Sequence, residues 1–136
     1  MAIEYISTSL QDTFEIGRQI AQDLKANDVV ALVGELGAGK TTLIKGILHD
    51  VPIVASPTFT YLNIYPRTLP VYHFDLYRIS SEVDFIALGF EEYLENDGVC
   101  LIEWAENIIE LLPKRTSFIK IWHLTESSRK IVYEKI

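Results

Sequence analysis

Gly34-Glu35-Leu36-Gly37-Ala38-Gly39-Lys40-Thr41 satisfies every fixed position of the pattern G-x-x-x-x-G-K-[ST]. Each fixed residue type has a physical reason. Gly34, Gly37 and Gly39 permit backbone angles that residues with side chains disfavour, so amide N–H groups along the loop can turn inward and cradle phosphate oxygens. Lys40 reaches the terminal phosphates of a nucleotide, and the Thr41 hydroxyl binds Mg²⁺. Thr42 follows at the start of a helix whose dipole favours the same anion. The chemistry implied is nucleotide binding with magnesium.

Such a loop works with a carboxylate at the end of a neighbouring strand. Val99-Cys100-Leu101-Ile102-Glu103 has that form, four apolar residues and then an acid. Glutamate is one methylene longer than the commoner aspartate, which favours a water-mediated contact between Glu103 and the metal. Val71-Tyr72-His73-Phe74-Asp75 ends in a second acid. Asp75 either orients or deprotonates an attacking water, or caps the turn that follows. His73 shares a strand face with Asp75, and its residue type alone leaves a structural and a catalytic role open. Thr58, in the polar, proline-fixed stretch Ser56-Pro57-Thr58-Phe59-Thr60, stands where many P-loop hydrolases keep a switch that senses the γ-phosphate. An ordinary loop fits that stretch equally well. Trp104 directly follows Glu103 and reads either as core or as a wall of the nucleotide pocket.

These residues need a scaffold, and the periodicities supply one. Val29–Val33 is a continuous apolar run ahead of the glycine loop, as in a strand buried on both faces. A short helix over residues 41–48 follows. Strands are predicted at 3–6, 60–65, 71–75, 99–102, 117–124 and 130–133. Ser9 and Asp12 form a candidate capping box opening a helix with apolar steps at Leu10, Phe14, Gly17, Ile20 and Leu24. A helix is predicted from Ser81 to about Leu88, stopped by Gly89, and another over 107–112. Strands alternating with helices around a glycine loop predict an α/β, P-loop NTPase-like three-layer sandwich, mostly parallel, with an antiparallel C-terminal edge.

With 136 residues, 49% of them apolar, the chain fits one P-loop ATPase domain over residues 1–136. No apolar run approaches the ~20 residues of a membrane span, so no membrane association is expected. The N-terminus lacks a basic start and an apolar block, and a cytoplasmic location follows. Cys100 is the one cysteine and reads as core. The net charge of −7 is uneven. Residues 82–112 hold nine acids and no base, while residues 113–136 hold two acids and six bases. A protein gripping duplex nucleic acid by itself would carry a basic face. The acidic stretch either docks a basic patch or is a solvated face.

The absences narrow the choice. No N-K-x-D points to guanine selection, and no L-S-G-G-Q-like segment points to a transporter ATPase. A small-molecule kinase would want an arginine-rich lid, yet Arg67 and Arg78 are the only arginines between the P-loop and residue 114. Arg78 has the type of a finger in cis, though nothing in the sequence requires that role. Slow hydrolysis without a finger suggests activation by a partner.

GELGAGKTT, SPTFTYLNIY, YHFDLYRI, ALGFEEYL and LIEWAE occur in the order and approximate spacing of the bacterial TsaE (YjeE) family. The chain resembles that family over about residues 8–106. The resemblance implies the ATPase component of the tRNA threonylcarbamoyladenosine system, working with TsaD and TsaB proteins that modify the adenosine beside the anticodon. By the same resemblance, the loop Gly34, Glu35, Leu36, Gly37, Ala38, Gly39, with Lys40, Thr41 and Thr42, holds the nucleotide. Thr41 and Glu103 hold Mg²⁺, Asp75 is the essential acid near the γ-phosphate, and Thr58 and Trp104 lie beside the nucleotide. Contact with tRNA falls to the partners, the basic C-terminal tail being the possible exception. The connection over 48–56 and the C-terminal region look short for the family, which bears on partner contacts and adenine binding rather than on phosphate chemistry. Two other classes fit the same motifs: a small-molecule phosphotransferase of the P-loop kinase type, and a nucleotide-gated binding module with incidental hydrolysis.

Overall fold

Runs of buried aliphatics and three- and four-residue apolar steps sort into β1 (Ala2–Ser7), α1 (Leu10–Ala21), β2 (Val29–Gly34), α2 (Lys40–Ile47), β3 (Leu62–Tyr65), β4 (Val71–Asp75), α3 (Glu82–Ala87), β5 (Val99–Glu103), β6 (Ser117–His123) and β7 (Arg129–Glu134). Two 3-10 segments, Glu91–Glu95 and Ala105–Leu111, flank β5, and the second kinks at Ile108. This computed structural model describes residues 1–35, 37–52, 54 and 60–135. Leu36, Thr58 and the whole switch-like stretch up to Phe59 lie outside the described residues.

The described strands form one seven-stranded sheet in the order β1-β7-β6-β2-β5-β4-β3. β4, β5, β2 and β6 run parallel to their neighbours within the group. β3 is antiparallel at one edge, and β7 and β1 are antiparallel at the other. The C-terminal pair is therefore not a simple antiparallel addition. β6 runs parallel beside β2, only β7 reverses, and β1 closes the edge by pairing Ala2–Ser7 with Arg129–Glu134. A parallel seat next to β2 buries Ile119 and Ile121 of β6 completely.

Period-two alternation sends the β2 side chains to opposite faces. Val30 and Leu32 pack with Ile16, Ile20, Leu43 and Ile47 beneath α1 and α2. Val29 and Ala31 pack with Phe74, Phe85, Leu94, Ile102 and Ile108 on the other side. Helical elements thus cover both faces, and the fold is the three-layer α/β sandwich that the alternation predicts.

The P-loop helix is held tightly against α1. A Cβ on Gly46 would fall 2.1 Å from the Phe14 carbonyl oxygen, and one on Gly17 would fall 2.4 Å from that of Leu43. Only glycine at both positions allows so close an approach. At its start α1 is capped by Ser9 Oγ, which accepts from Asp12 N at 3.0 Å. The reciprocal contact differs from a standard capping box, because Asp12 accepts from Thr8 N and Thr8 Oγ1 instead of from Ser9 N.

Candidate functional site

The parallel strands β2, β5 and β4 all finish at one end of the sheet, where ligands gather in such folds. β2 ends in Gly34, where a Cβ would sit 2.7 Å from the Ile121 carbonyl oxygen of β6. The loop then turns through Gly37 and Gly39, with φ of 76° and 108°. Gly39 is the N-cap of α2 and provides no side-chain cap, so the first amides of the helix are left for another acceptor. That is the arrangement of an anion cradle.

Lys40 lies folded over the loop, 7% exposed, with Nζ donating to the Gly34 carbonyl at 3.1 Å. The same ammonium stands 4.5 Å from the centroid of the Trp104 ring. Trp104 takes up a left-handed conformation, φ 59°, an uncommon state for a bulky residue. Tyr77 packs on its ring at 5.0 Å between centroids.

β4 and β5 place the two acids side by side, since Asp75 is the register partner of Glu103. Glu103 is 5% exposed and is held by His73, whose Nε2 is 2.8 Å from Glu103 Oε2. An ionised carboxylate only accepts, so the imidazole donates from Nε2. His73 Nδ1 is buried with no hydrogen-bond partner among the described residues, while the Tyr65 ring stacks on the imidazole at 6.5 Å. Asp75 Oδ1 accepts from Tyr77 N at 3.1 Å, so the turn-capping reading of Asp75 holds in part. Burial pushes the Asp75 carboxyl above its ordinary range, aided by nearby Glu103 and opposed by the Tyr77 N–H, His73 and Lys40.

These side chains converge on a cleft of about 340 Å³ lined by Leu10, Gly37, Gly39, Lys40, Thr41, Thr42, Asp75, Glu103, Trp104 and Arg129. Glu35 lines an adjoining cavity of about 500 Å³ with Gly34, Trp104, Lys120 and Trp122, and Ala38 is buried. Two residues that touch the loop carry no sequence motif, and of these only Arg129 lines the cleft. Arg129 Nε donates to the Ala38 carbonyl at 2.7 Å, and His123 Nε2 lies 3.0 Å from the Gly37 carbonyl. Arg78, exposed in the turn after β4, is not among the cleft residues.

The donor set suits magnesium. Among the described residues no three His, Cys, Asp or Glu side chains converge as an all-protein cage. The cleft instead offers the Thr41 hydroxyl and the Glu103 and Asp75 carboxylates. Magnesium is commonly held by one or two such oxygens together with substrate phosphates.

The family model described as "Threonylcarbamoyl adenosine biosynthesis protein TsaE" matches residues 7–131. The chain belongs to the TsaE family. It is 40% identical over 129 residues to the tRNA threonylcarbamoyladenosine biosynthesis protein TsaE of Treponema pallidum (strain Nichols), covering 93% of this chain and 96% of the relative. The TsaE protein of Bacillus subtilis (strain 168) is 38% identical over 138 residues, covering 98% and 86%. The crystal structure of Bacillus subtilis YdiB superposes with a TM-score of 0.84 at 34% identity, covering all of this chain and 86% of that one. The family takes part in tRNA threonylcarbamoyladenosine biosynthesis, and the sequence resemblance over residues 8–106 thereby extends almost to the C-terminus. Among the described residues, no helix is long and apolar enough to cross a membrane.

Proposed function

We propose that the chain is a Mg²⁺-dependent ATPase of the cytoplasm, acting with TsaD- and TsaB-type proteins as an accessory subunit in forming threonylcarbamoyladenosine on tRNA. The observation that carries this reading is the convergence of Lys40, Thr41, Asp75 and Glu103 in one cleft at the ends of parallel strands.

Amides of the loop and of the first turn of α2 bind the polyphosphate. Lys40 exchanges its contact with the Gly34 carbonyl for the phosphates. The Thr41 hydroxyl and Glu103 would hold the magnesium ion, which neutralises charge developing on the phosphate oxygens. His73 keeps the Glu103 carboxylate in one orientation. Asp75 positions the attacking water and receives its proton, a task helped by a carboxyl that burial has made more basic. Trp104 walls the cleft and covers Lys40 until nucleotide arrives. The net charge of −7 suits a division of labour in which partners contact the tRNA.

Reconstitution provides the test. The purified chain is mixed with TsaD- and TsaB-type proteins, tRNA, threonylcarbamoyl-adenylate and MgATP, and both phosphate release and the modified nucleoside are measured. ATP turnover should rise on addition of the partners, and omission of this chain should stop repeated rounds of modification. Full modification without the chain would overturn the proposal.

A further inference from the structure

We propose that Arg129 is a nucleotide ligand supplied in cis from β7, gripping the α- and β-phosphates; the inference rests on the P-loop of this chain binding a nucleoside polyphosphate. Topology delivers the residue. β7 is antiparallel to β6, and Arg129, its first residue, is paired with His123 at the end of β6 where the parallel strands finish. A residue 91 positions beyond the loop in sequence thus donates from Nε to the Ala38 carbonyl at 2.7 Å. A Cβ on Gly39 would lie 3.0 Å from that Nε, so the guanidinium rests directly on the loop backbone.

The charge of Arg129 is used differently from that of its neighbours. Lys120 pairs with Glu134, Lys130 with Glu4, Lys135 with Asp23 and Arg115 with Glu95. Among the described residues no carboxylate pairs with Arg129. Its Nε–H is spent on a neutral carbonyl, while the guanidinium lines the phosphate cleft beside Gly37, Gly39, Lys40 and Thr42. A planar fork with donors in hand matches phosphate oxygens.

Position along the nucleotide follows from the sheet order. The acids lie on β5 and β4, on one side of β2, so the γ-phosphate, whose chemistry Asp75 and Glu103 would serve, belongs there. Arg129 lies on the other side, beyond β6. It therefore meets the nucleoside end of the polyphosphate and serves binding, unlike a finger that meets the γ-phosphate and serves hydrolysis.

Calorimetry with MgATP and MgADP on wild type, Arg129→Lys and Arg129→Ala tests this. Arg129→Ala should weaken both nucleotides by about tenfold or more, the scale of lost charge-assisted hydrogen bonds. Arg129→Lys should fall between, since a point charge replaces a planar fork. In wild type, the Arg129 guanidinium should show a through-hydrogen-bond coupling to the ³¹P nuclei of bound MgADP, which a residue that only props the loop would not show. Unchanged affinities in Arg129→Ala, a loss of turnover at unchanged affinity, or the absence of any guanidinium–³¹P coupling in the MgADP complex would each overturn the assignment. A wild-type chain that binds neither nucleotide would instead overturn the ATPase reading on which it rests.

Discussion

His73 and Glu103 form a buried pair at the floor of the cleft, with Nε2 and Oε2 2.8 Å apart and both residues at most 5% exposed. A carboxylate so placed depends on its donor, because the desolvation cost of a buried charge is offset only by direct hydrogen bonds. His73→Ala should therefore destabilise the fold by about 3 kcal/mol or more, the scale for removing one partner of a buried pair. His73→Gln, which can return an N–H to Glu103, should recover part of the loss. Urea denaturation reads both, and a midpoint unchanged in His73→Ala would show that the pair contributes nothing.

Asp75→Asn should keep nucleotide binding and lose hydrolysis. The amide retains an oxygen for Tyr77 N but cannot accept a proton from water. Turnover should drop by about 100- to 10,000-fold, the usual scale of general-base catalysis. Steady-state phosphate release checks this, and wild-type turnover would remove Asp75 from the chemistry.

The packing of α1 on α2 leads to a stability prediction away from the cleft. Gly46→Ala pushes a methyl into the Phe14 carbonyl, and backbone on both sides must move. A loss of about 1–3 kcal/mol is expected for such overpacking, measured by thermal melting. A melting temperature equal to wild type would mean that the helices separate without cost.

Cys100 should be inert in the native protein. Burial pushes its thiol up to about 12, and Sγ–H donates to the Tyr93 carbonyl at 3.0 Å. The reactive thiolate is then nearly absent at pH 8. Intact mass spectrometry after iodoacetamide treatment should show no adduct until denaturant is added, whereas rapid native labelling would contradict the burial.

Much of this architecture was legible in the sequence because its signals are local. Val71–Asp75 has the bounds that the apolar run and terminal acid suggest, and the helix after the glycine loop starts at Lys40, one residue early. Lys40, Thr41, Asp75, Glu103 and Trp104 could be singled out since each begins a helix or ends or follows a buried strand. Long-range pairings were not legible. Nothing in Ala2–Ser7 names β7 as its partner, and the 3-10 segment Glu91–Glu95 is too short to carry a period. Arg129 stands in no motif, and only the reversal of β7 brings it to Ala38. His73 left two readings open because its contact with Glu103 spans 30 residues and two strands.

The most direct measurement is isothermal titration of MgATP into the wild-type chain and into Lys40→Ala. Lys40 lies folded over the loop and lines the cleft with Thr41, Asp75 and Glu103. Saturable binding to a single site in wild type, with no measurable heat in a folded Lys40→Ala variant, is the expected result. Equal affinities for the two proteins would contradict nucleotide binding at this loop.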